Sequence, residues 1–514
     1  MSTAPSQTSQ TPLQTHSTRP LEIVSDSLAL GVVFAISLTV IQRAVGFVRG
    51  ILFCRYMPDY ELGQWSMVYS FLMLLAPLAV LGLPGSFGRF VEYYMQRGQA
   101  GVFIRRIAKI SCVLTLLLAG SMYLVPVAYS QAMFRSPDHT DIVNCMAFAI
   151  VMVASCNFLF SLMESLRQVR LVTLMRFIQG IAFAVFGTIF ILTWDMGASA
   201  ATFGFGIACL LGSVPAIWFL WKYQNAFASS GERLTQSAMW SRIAPFAVWL
   251  WASNLVSNMF EVADRYMLVH WSSVPAEVAH GFVGQYHSGR VVPLLLVGIA
   301  VVLEGMFLPF MTVLWEKGQK KETARQVNLA IKLMAICFTL AGIVIIAFSP
   351  LLFDVILDGK YDDGLAVLPL TLVYCTWFSL FWMWQTYLWV AEKGKLVFAV
   401  TAAGLVANLA LNALLIPHFQ LWGAVIATAT ATLICVILVG LVNRFAAGGT
   451  IDNRIWGLLV LPVVILLPVW LACLVVLAFM IFVWRTEFVF DHEDREIAKL
   501  HLNRLKSKLL GDKK

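Results

Sequence analysis

From Leu28 onward the chain is a succession of apolar runs of helix length, separated by short polar turns. Runs near 28–50, 66–92, 107–129, 141–163, 171–193, 198–221, 244–268, 283–310, 328–349, 366–390, 396–416 and 420–443 are each long enough to cross a hydrocarbon core of ~30 Å at ~1.5 Å per residue. The two-residue alternation of a membrane barrel is missing. In lipid a helix satisfies its own N–H and C=O groups, so the pattern predicts an all-α, polytopic membrane bundle. A last apolar block, 455–484, is long for one crossing and short for two, and Pro462 and Pro468 interrupt it. We read it as a short hairpin, within a total of 12–14 transmembrane segments.

The pattern occurs twice. Leu62-Gly63-Gln64-Trp65 recurs 221 residues later as Val283-Gly284-Gln285-Tyr286. Arg97-Gly98-Gln99 recurs as Lys317-Gly318-Gln319, Arg105 as Arg325, and Leu118-Ala119-Gly120 as Leu340-Ala341-Gly342. Ordered matches at a nearly constant offset indicate a duplicated unit, the construction of many transporters. The expected organisation is a disordered tail (1–27), a six-helix bundle (28–221), a linker (222–243), a second six-helix bundle (244–443), the extra apolar block (455–484) and an amphipathic tail (485–514).

Composition supports this reading: 60% of residues are apolar and 12% charged, too little polar surface for a soluble chain of this size. The net charge of +8 is spread through short loops, without the basic domain of a nucleic-acid binder. Alternate loops differ in charge. One set carries Arg97, Arg105, Arg106, Lys109, Arg167, Arg170, Lys222, Lys317, Lys320, Lys321, Lys393, Lys395 and Arg444; the other is acidic, with Asp138, Asp141, Asp354, Asp358, Asp362 and Asp363. The positive-inside rule places the first set, and with it the N-terminus, in the cytoplasm. The nine cysteines form no CxxC pair and read as apolar filler. Neither a phosphate-binding G-x-x-x-x-G-K-[ST] loop nor a G-x-S-x-G elbow occurs, and all loops are short; the expectation is a protein without enzymatic activity, cofactor or metal.

Ionisable groups inside spans are costly, and each is a candidate site. Arg43 lies ~22 Å into the first span. Glu261, Asp264 and Arg265 lie near the outer end of the seventh, and Arg290 a little below the outer end of the eighth. Arg43 and Asp264 are repeat equivalents, expected to flank a central cavity. On the structural alternative, Glu261 and Arg265 neutralise one another at i, i+4 spacing. Arg49 and Arg89 fall near predicted span ends, Arg89 as an interfacial pair with Glu92. Asn408 with Asn412, and Asn254 with Asn258, share helix faces and read as interhelical hydrogen-bonding pairs. Gly82-Leu83-Pro84-Gly85 should break the second span.

The stretch from Arg55 to Gln99, RYMPDYELGQWSMVYSFLMLLAPLAVLGLPGSFGRFVEYYMQRGQ, resembles the opening of polysaccharide flippases, O-antigen and exopolysaccharide exporters of the multidrug/oligosaccharidyl-lipid/polysaccharide (MOP) superfamily. Asp264 to Gln319, with Asp-Arg at a helix end, V-G-Q-Y, a long apolar helix and Pro309, resembles their seventh and eighth spans. The resemblance implies two six-helix bundles and cargo made of an undecaprenyl-type lipid carrying an oligosaccharide through a diphosphate, as in lipopolysaccharide assembly at a bacterial inner membrane. It implies diphosphate binding by Arg43 and Arg290, with Arg265 and Arg89 as further candidates, and a coupling H+ or Na+ at Asp264 or Glu261. Glycan polymerases and other assembly proteins are the partners it suggests. The rival readings are a MATE-like drug/cation antiporter, a membrane-embedded enzyme of glycan assembly, and a scaffold for a synthesis complex.

Overall fold

The structure is a computed structural model that describes residues 28–194, 196–224, 234–445, 448, 452–486 and 489–491. The expected tails at 1–27 and beyond 491 lie outside the described residues. Among those described, every regular element is helical.

The first lobe comprises α1 (Leu28–Tyr56), α2 (Asp59–Ala79), α3 (Phe87–Met95), α4 (Ala100–Leu124), α5 (Pro126–Phe134), α6 (Thr140–Ser165), α7 (Val169–Trp194) and α8 (Gly197–Lys222). The second comprises α9 (Gln236–Trp271), α10 (Ala276–Val291), α11 (Pro293–Glu316), α12 (Lys320–Pro350), α13 (Asp362–Val390) and α14 (Gly394–Phe445). Several of these are halves of one span. The second span breaks where the sequence predicts: Leu81 and Gly82 take φ of 50° and 63°, and a 3-10 turn at Leu83–Ser86 restarts the chain into α3. A Cβ on Gly82 would stand 2.9 Å from that of Trp251 on α9, so the break is also a close interlobe approach. Pro126 and Pro293 start α5 and α11 at first-turn positions, where their missing N–H costs least. Conversely, α14 is two helices that reverse at Gln420 (φ 43°, ψ −116°). Several predicted boundaries shift. Residues 236–243, expected in the linker, form the first turns of α9, and α1 continues past residue 50 to Tyr56.

Within lobe one, α7 packs on α8 and α1, and α6 on α8 and α4. Within lobe two, α13 is the central helix, packed on α11, α12 and α14. The lobes meet chiefly through α2 against α10 and α9.

That junction has two-fold reciprocity. A Cβ on Gly63 would lie 1.9 Å from the carbonyl oxygen of His280, and one on Gly284 1.9 Å from that of Asp59. Gly63 and Gly284 are 221 residues apart, as are Asp59 and His280. Ser66 and His287, at the same separation, hydrogen-bond to each other at 3.2 Å, which places them at the axis. Off the axis the exchange continues: Arg55 donates to the carbonyl of Ile356 (2.6 Å), while Arg135 donates to those of Ser272 (3.2 Å) and Val274. Arg135 and Ile356 are again 221 apart. Such reciprocal contacts are the signature of a two-fold interface. We refer to this end of the bundle as the clasped end; the turns at the other end carry Arg97, Arg167, Lys317 and Lys393, and form the basic end.

The last block is the expected hairpin. α15 (Arg454–Leu458) and a 3-10 turn at Leu461–Leu466 form one leg, and α16 (Val469–Arg485) the other, with extended backbone at Leu467 before Pro468. The irregular first leg is secured where Trp377 Nε1 donates to the carbonyl of Leu459 at 2.8 Å. Arg454 at its start pairs with Asp491 beyond its end, so both legs begin and finish on one side. Lys332 of α12, almost wholly buried, pairs with Asp452 at 2.6 Å and anchors the hairpin to lobe two.

Candidate functional site

Four arginines face the junction of the lobes. Arg43 is exposed, and its guanidinium leaves lobe one: Nη1 lies 3.3 Å from where a Cβ on Gly298 of α11 would stand. Glycine at 298 is what admits it. Two turns nearer the clasped end, the Arg49 guanidinium carbon sits 4.2 Å from the ring centre of Phe183 and 6.0 Å from that of Phe53, a cation–π seat between α1 and α7. Arg265 is buried, and its Nη1 donates to Ser70 Oγ on α2 at 2.6 Å. Arg290, buried in the last turn of α10, lies 5.1 Å from the ring centre of Tyr286 and complements the negative end of the helix dipole. The charges of Arg265, Arg290 and Arg49 all bear on His287, which sits at the two-fold axis. Three guanidinium groups thus lie toward the clasped end, with Arg43 standing further from the clasp. Planar forks of donors held away from bulk water suit phosphate oxygens, bidentately and with strengthened attraction.

Asp264 is placed differently from the expectation. It does not flank the interlobe space beside its repeat equivalent Arg43; it points into lobe two. There its Oδ1 accepts from the side-chain amides of Asn408 (3.0 Å) and Asn412 (2.8 Å), and its Oδ2 from Thr428 Oγ1 (2.7 Å) and the Tyr286 hydroxyl (2.9 Å). The two asparagines lie one turn apart on the first helix of α14 and Thr428 on the second, so the carboxylate ties α9, α10 and both legs of α14 together. A Zn-type cluster of three His, Cys, Asp or Glu is absent among the described residues. The cage is instead one carboxylate with amide and hydroxyl oxygens, the donor set of a hard, weakly charged cation. One oxygen in it, Asn412 Oδ1, is buried with no hydrogen-bond partner. A flip of either amide would turn a carbonyl oxygen toward the position its N–H now occupies. The residues present therefore fit a small monovalent cation.

The other sequence candidates fall elsewhere. The side chain of Glu261 lies outside the described residues. Arg89 is exposed on α3 near the basic end, its guanidinium 5.7 Å from the ring of Phe90, at the opposite end of the bundle from His287. Asn258 donates to the carbonyl of Asn254 within its own helix at 2.8 Å. Arg49 and the cage members Tyr286 and Thr428 are additions that the structure makes.

Two helical lobes that exchange reciprocal contacts about an internal two-fold define a multi-pass helical membrane protein built from two repeats. Residues 28–315 match the family described as polysaccharide biosynthesis protein, and the chain belongs to that family. No curated protein matches the chain by sequence. Among solved structures it is similar to the lipid II flippase MurJ in an inward closed conformation, at 16% identity and TM-score 0.68, covering 88% of this chain and 99% of that one. It is also similar to a multidrug resistance MATE family transporter in its inward-facing conformation (13% identity, TM-score 0.66, 83% of this chain and 98% of that one). The outward-facing conformation of a MATE family transporter gives a TM-score of 0.57, again at 13% identity, over 83% of this chain and 96% of that one.

Proposed function

We propose that this chain moves a lipid-diphosphate-linked oligosaccharide of undecaprenyl type from the cytoplasmic to the outer leaflet of a bacterial inner membrane, for surface polysaccharide synthesis such as that of O-antigen or exopolysaccharide. The basic end is cytoplasmic in this reading, and so is the N-terminus. The observation that carries it is the set of guanidinium groups at the junction of the lobes: Arg265 bonded across to Ser70 of α2, Arg290 on the ring of Tyr286, and Arg43 reaching Gly298 of the other lobe. A dianionic diphosphate is held there while the lipid tail stays in the bilayer. Rocking of the lobes about the two-fold exchanges access, and an inside-negative potential favours outward passage of each negative charge by ~2.3 kcal/mol per 100 mV. A cation, Na+ or H+, at Asp264 resets or biases the carrier.

The drug/cation antiporter reading wants an acid facing the interlobe space. Asp264 faces into lobe two and accepts four hydrogen bonds there, which favours a coupling role over drug contact.

The test is reconstitution in liposomes with a labelled polyprenyl-diphospho-sugar. Wild type should move the lipid between leaflets, and Arg43→Ala and Arg290→Ala should not. Equal transport by all three removes the diphosphate site; no transport by any removes the substrate class.

A further inference from the structure

Asp264 and Arg290 have no direct bond, yet one side chain touches both. Tyr286 is fully buried; its hydroxyl donates to Asp264 Oδ2 at 2.9 Å, and its ring carries the Arg290 guanidinium 5.1 Å from its centre. The same hydroxyl accepts from Tyr374 of α13 at 3.4 Å. We propose that Tyr286 is a positioning residue that couples cation occupancy at Asp264 to the placement of Arg290 for the anionic headgroup. This rests on the cation and diphosphate readings of the two sites given above.

The argument is one of hydrogen-bond capacity. A carboxylate offers about four acceptor positions, and all four at Asp264 are taken. A cation arriving at the carboxylate must displace donors. Asn408 and Asn412 can flip their amides and Thr428 can rotate its hydroxyl, so each becomes a ligand without moving its backbone. The Tyr286 proton needs a new acceptor, and the nearest oxygen is that of Tyr374, which would then reverse its own donation. Releasing the Asp264 bond removes the shorter of the two polar tethers at the tip of the Tyr286 ring and leaves the one to Tyr374. The ring is the seat of Arg290, so its adjustment moves a guanidinium toward the clasped end. The repeat sharpens the point: the equivalent of Tyr286 in lobe one is Trp65, packed among Phe53, Phe183 and Phe205, so only lobe two carries a hydroxyl at this position.

Coupling between two ligands is reciprocal and measurable as binding. The purified full-length protein is titrated with farnesyl diphosphate in sodium chloride and in choline chloride, and its thermal midpoint is followed with sodium alone. In wild type, sodium should raise the midpoint and tighten farnesyl diphosphate binding by about fivefold or more. Tyr286→Phe keeps the ring and removes one oxygen. It should keep the sodium-dependent midpoint shift while the tightening falls to within about twofold. Tyr374→Phe, a second and independent variant, removes the acceptor for the displaced proton and should weaken both the sodium shift and the tightening. Full tightening in Tyr286→Phe, or unchanged sodium response in Tyr374→Phe, means the sites communicate through space, and overturns the inference while leaving the cation site standing. No sodium shift in wild type, matched by Asp264→Asn, overturns the cation reading and the inference with it.

Discussion

Replacing Arg49 by alanine removes one of the three guanidinium groups whose charges meet at His287. A hydrogen bond to a charged group contributes about 1.5–3 kcal/mol, so transport of a lipid diphosphate by Arg49→Ala should fall roughly 10- to 100-fold in the liposome assay, with the fold intact. Arg49→Lys should recover only part, because an ammonium cannot form the planar fork. The sequence passes over this residue for a definite reason. A span ending at residue 50 puts Arg49 in the headgroups, whereas α1 runs on to Tyr56 because Phe53 and Cys54 are buried in the core and Pro58 then stops the helix. Asp264 was visible as an ionisable residue within a span, and Asn408 and Asn412 as a shared face. Tyr286 and Thr428 were not, since an aromatic and a hydroxyl on helices distant in sequence carry no mark of pointing at one carboxylate. Asp264→Ala should be among the most destabilising single changes. It takes an acceptor from four buried donors, and a buried donor left unsatisfied costs about 1–3 kcal/mol. Thermal unfolding in detergent should show a larger drop for Asp264→Ala than for Asp264→Asn, which keeps one acceptor oxygen in place.

At the scale of elements, the crossing of α2 and α10 rests on the absence of two side chains. A methyl group at Gly63 or Gly284 would stand 1.9 Å from a backbone oxygen of the other helix, so the helices must separate by more than an ångström to accept it. Gly63→Ala should therefore loosen the clasped end. Spin labels at Tyr56 and Val278, both exposed and on opposite lobes near that end, should report longer and broader distances than in the parent. The recurrence of L-G-Q-W as V-G-Q-Y is plain in the sequence, but equivalence by duplication does not reveal contact. That the two glycines meet each other's partners follows from the packed axis alone. The terminal hairpin makes a second case. The prolines at 462 and 468 foretell a broken block, yet the ion pair that holds it, Lys332 with Asp452, joins residues whose partnership no local pattern records. Asp452→Asn removes the carboxylate 2.6 Å from a buried ammonium and should destabilise the protein by up to about 3–5 kcal/mol. The double change Lys332→Met with Asp452→Asn should recover most of that loss, read as the unfolding midpoint of single and double variants.

At the scale of the whole molecule, the proposed exchange of access requires the clasp to open, and the chemistry of the clasp makes that opening sensitive to acid. His139, in the turn before α6, lies within 3.3 Å of the Tyr60 hydroxyl and the Gln64 amide, and its ring stands 6.0 Å from that of His280 on the other lobe. Burial holds the His139 imidazole below its ordinary value, against the opposing pull of Asp138 and Glu277. In an opened, hydrated state the same ring would return to about 6.5. The open state then binds more protons than the clasped one at mildly acidic pH. The clasp is at full strength above that ordinary value and weakens as pH falls through it, levelling off once the lower clasped-state value is passed. Between pH 7.5 and pH 5.5 the distance distribution between labels at Tyr56 and Val278 should shift toward the separated state. His139→Gln keeps an amide for hydrogen bonding but cannot take a proton, and should flatten that response. A pH response unchanged in His139→Gln would assign it to other groups at the clasp. A response absent from the parent would mean that the glycine crossing and the reciprocal Arg55 and Arg135 contacts hold the lobes together with enough margin to make one imidazole immaterial.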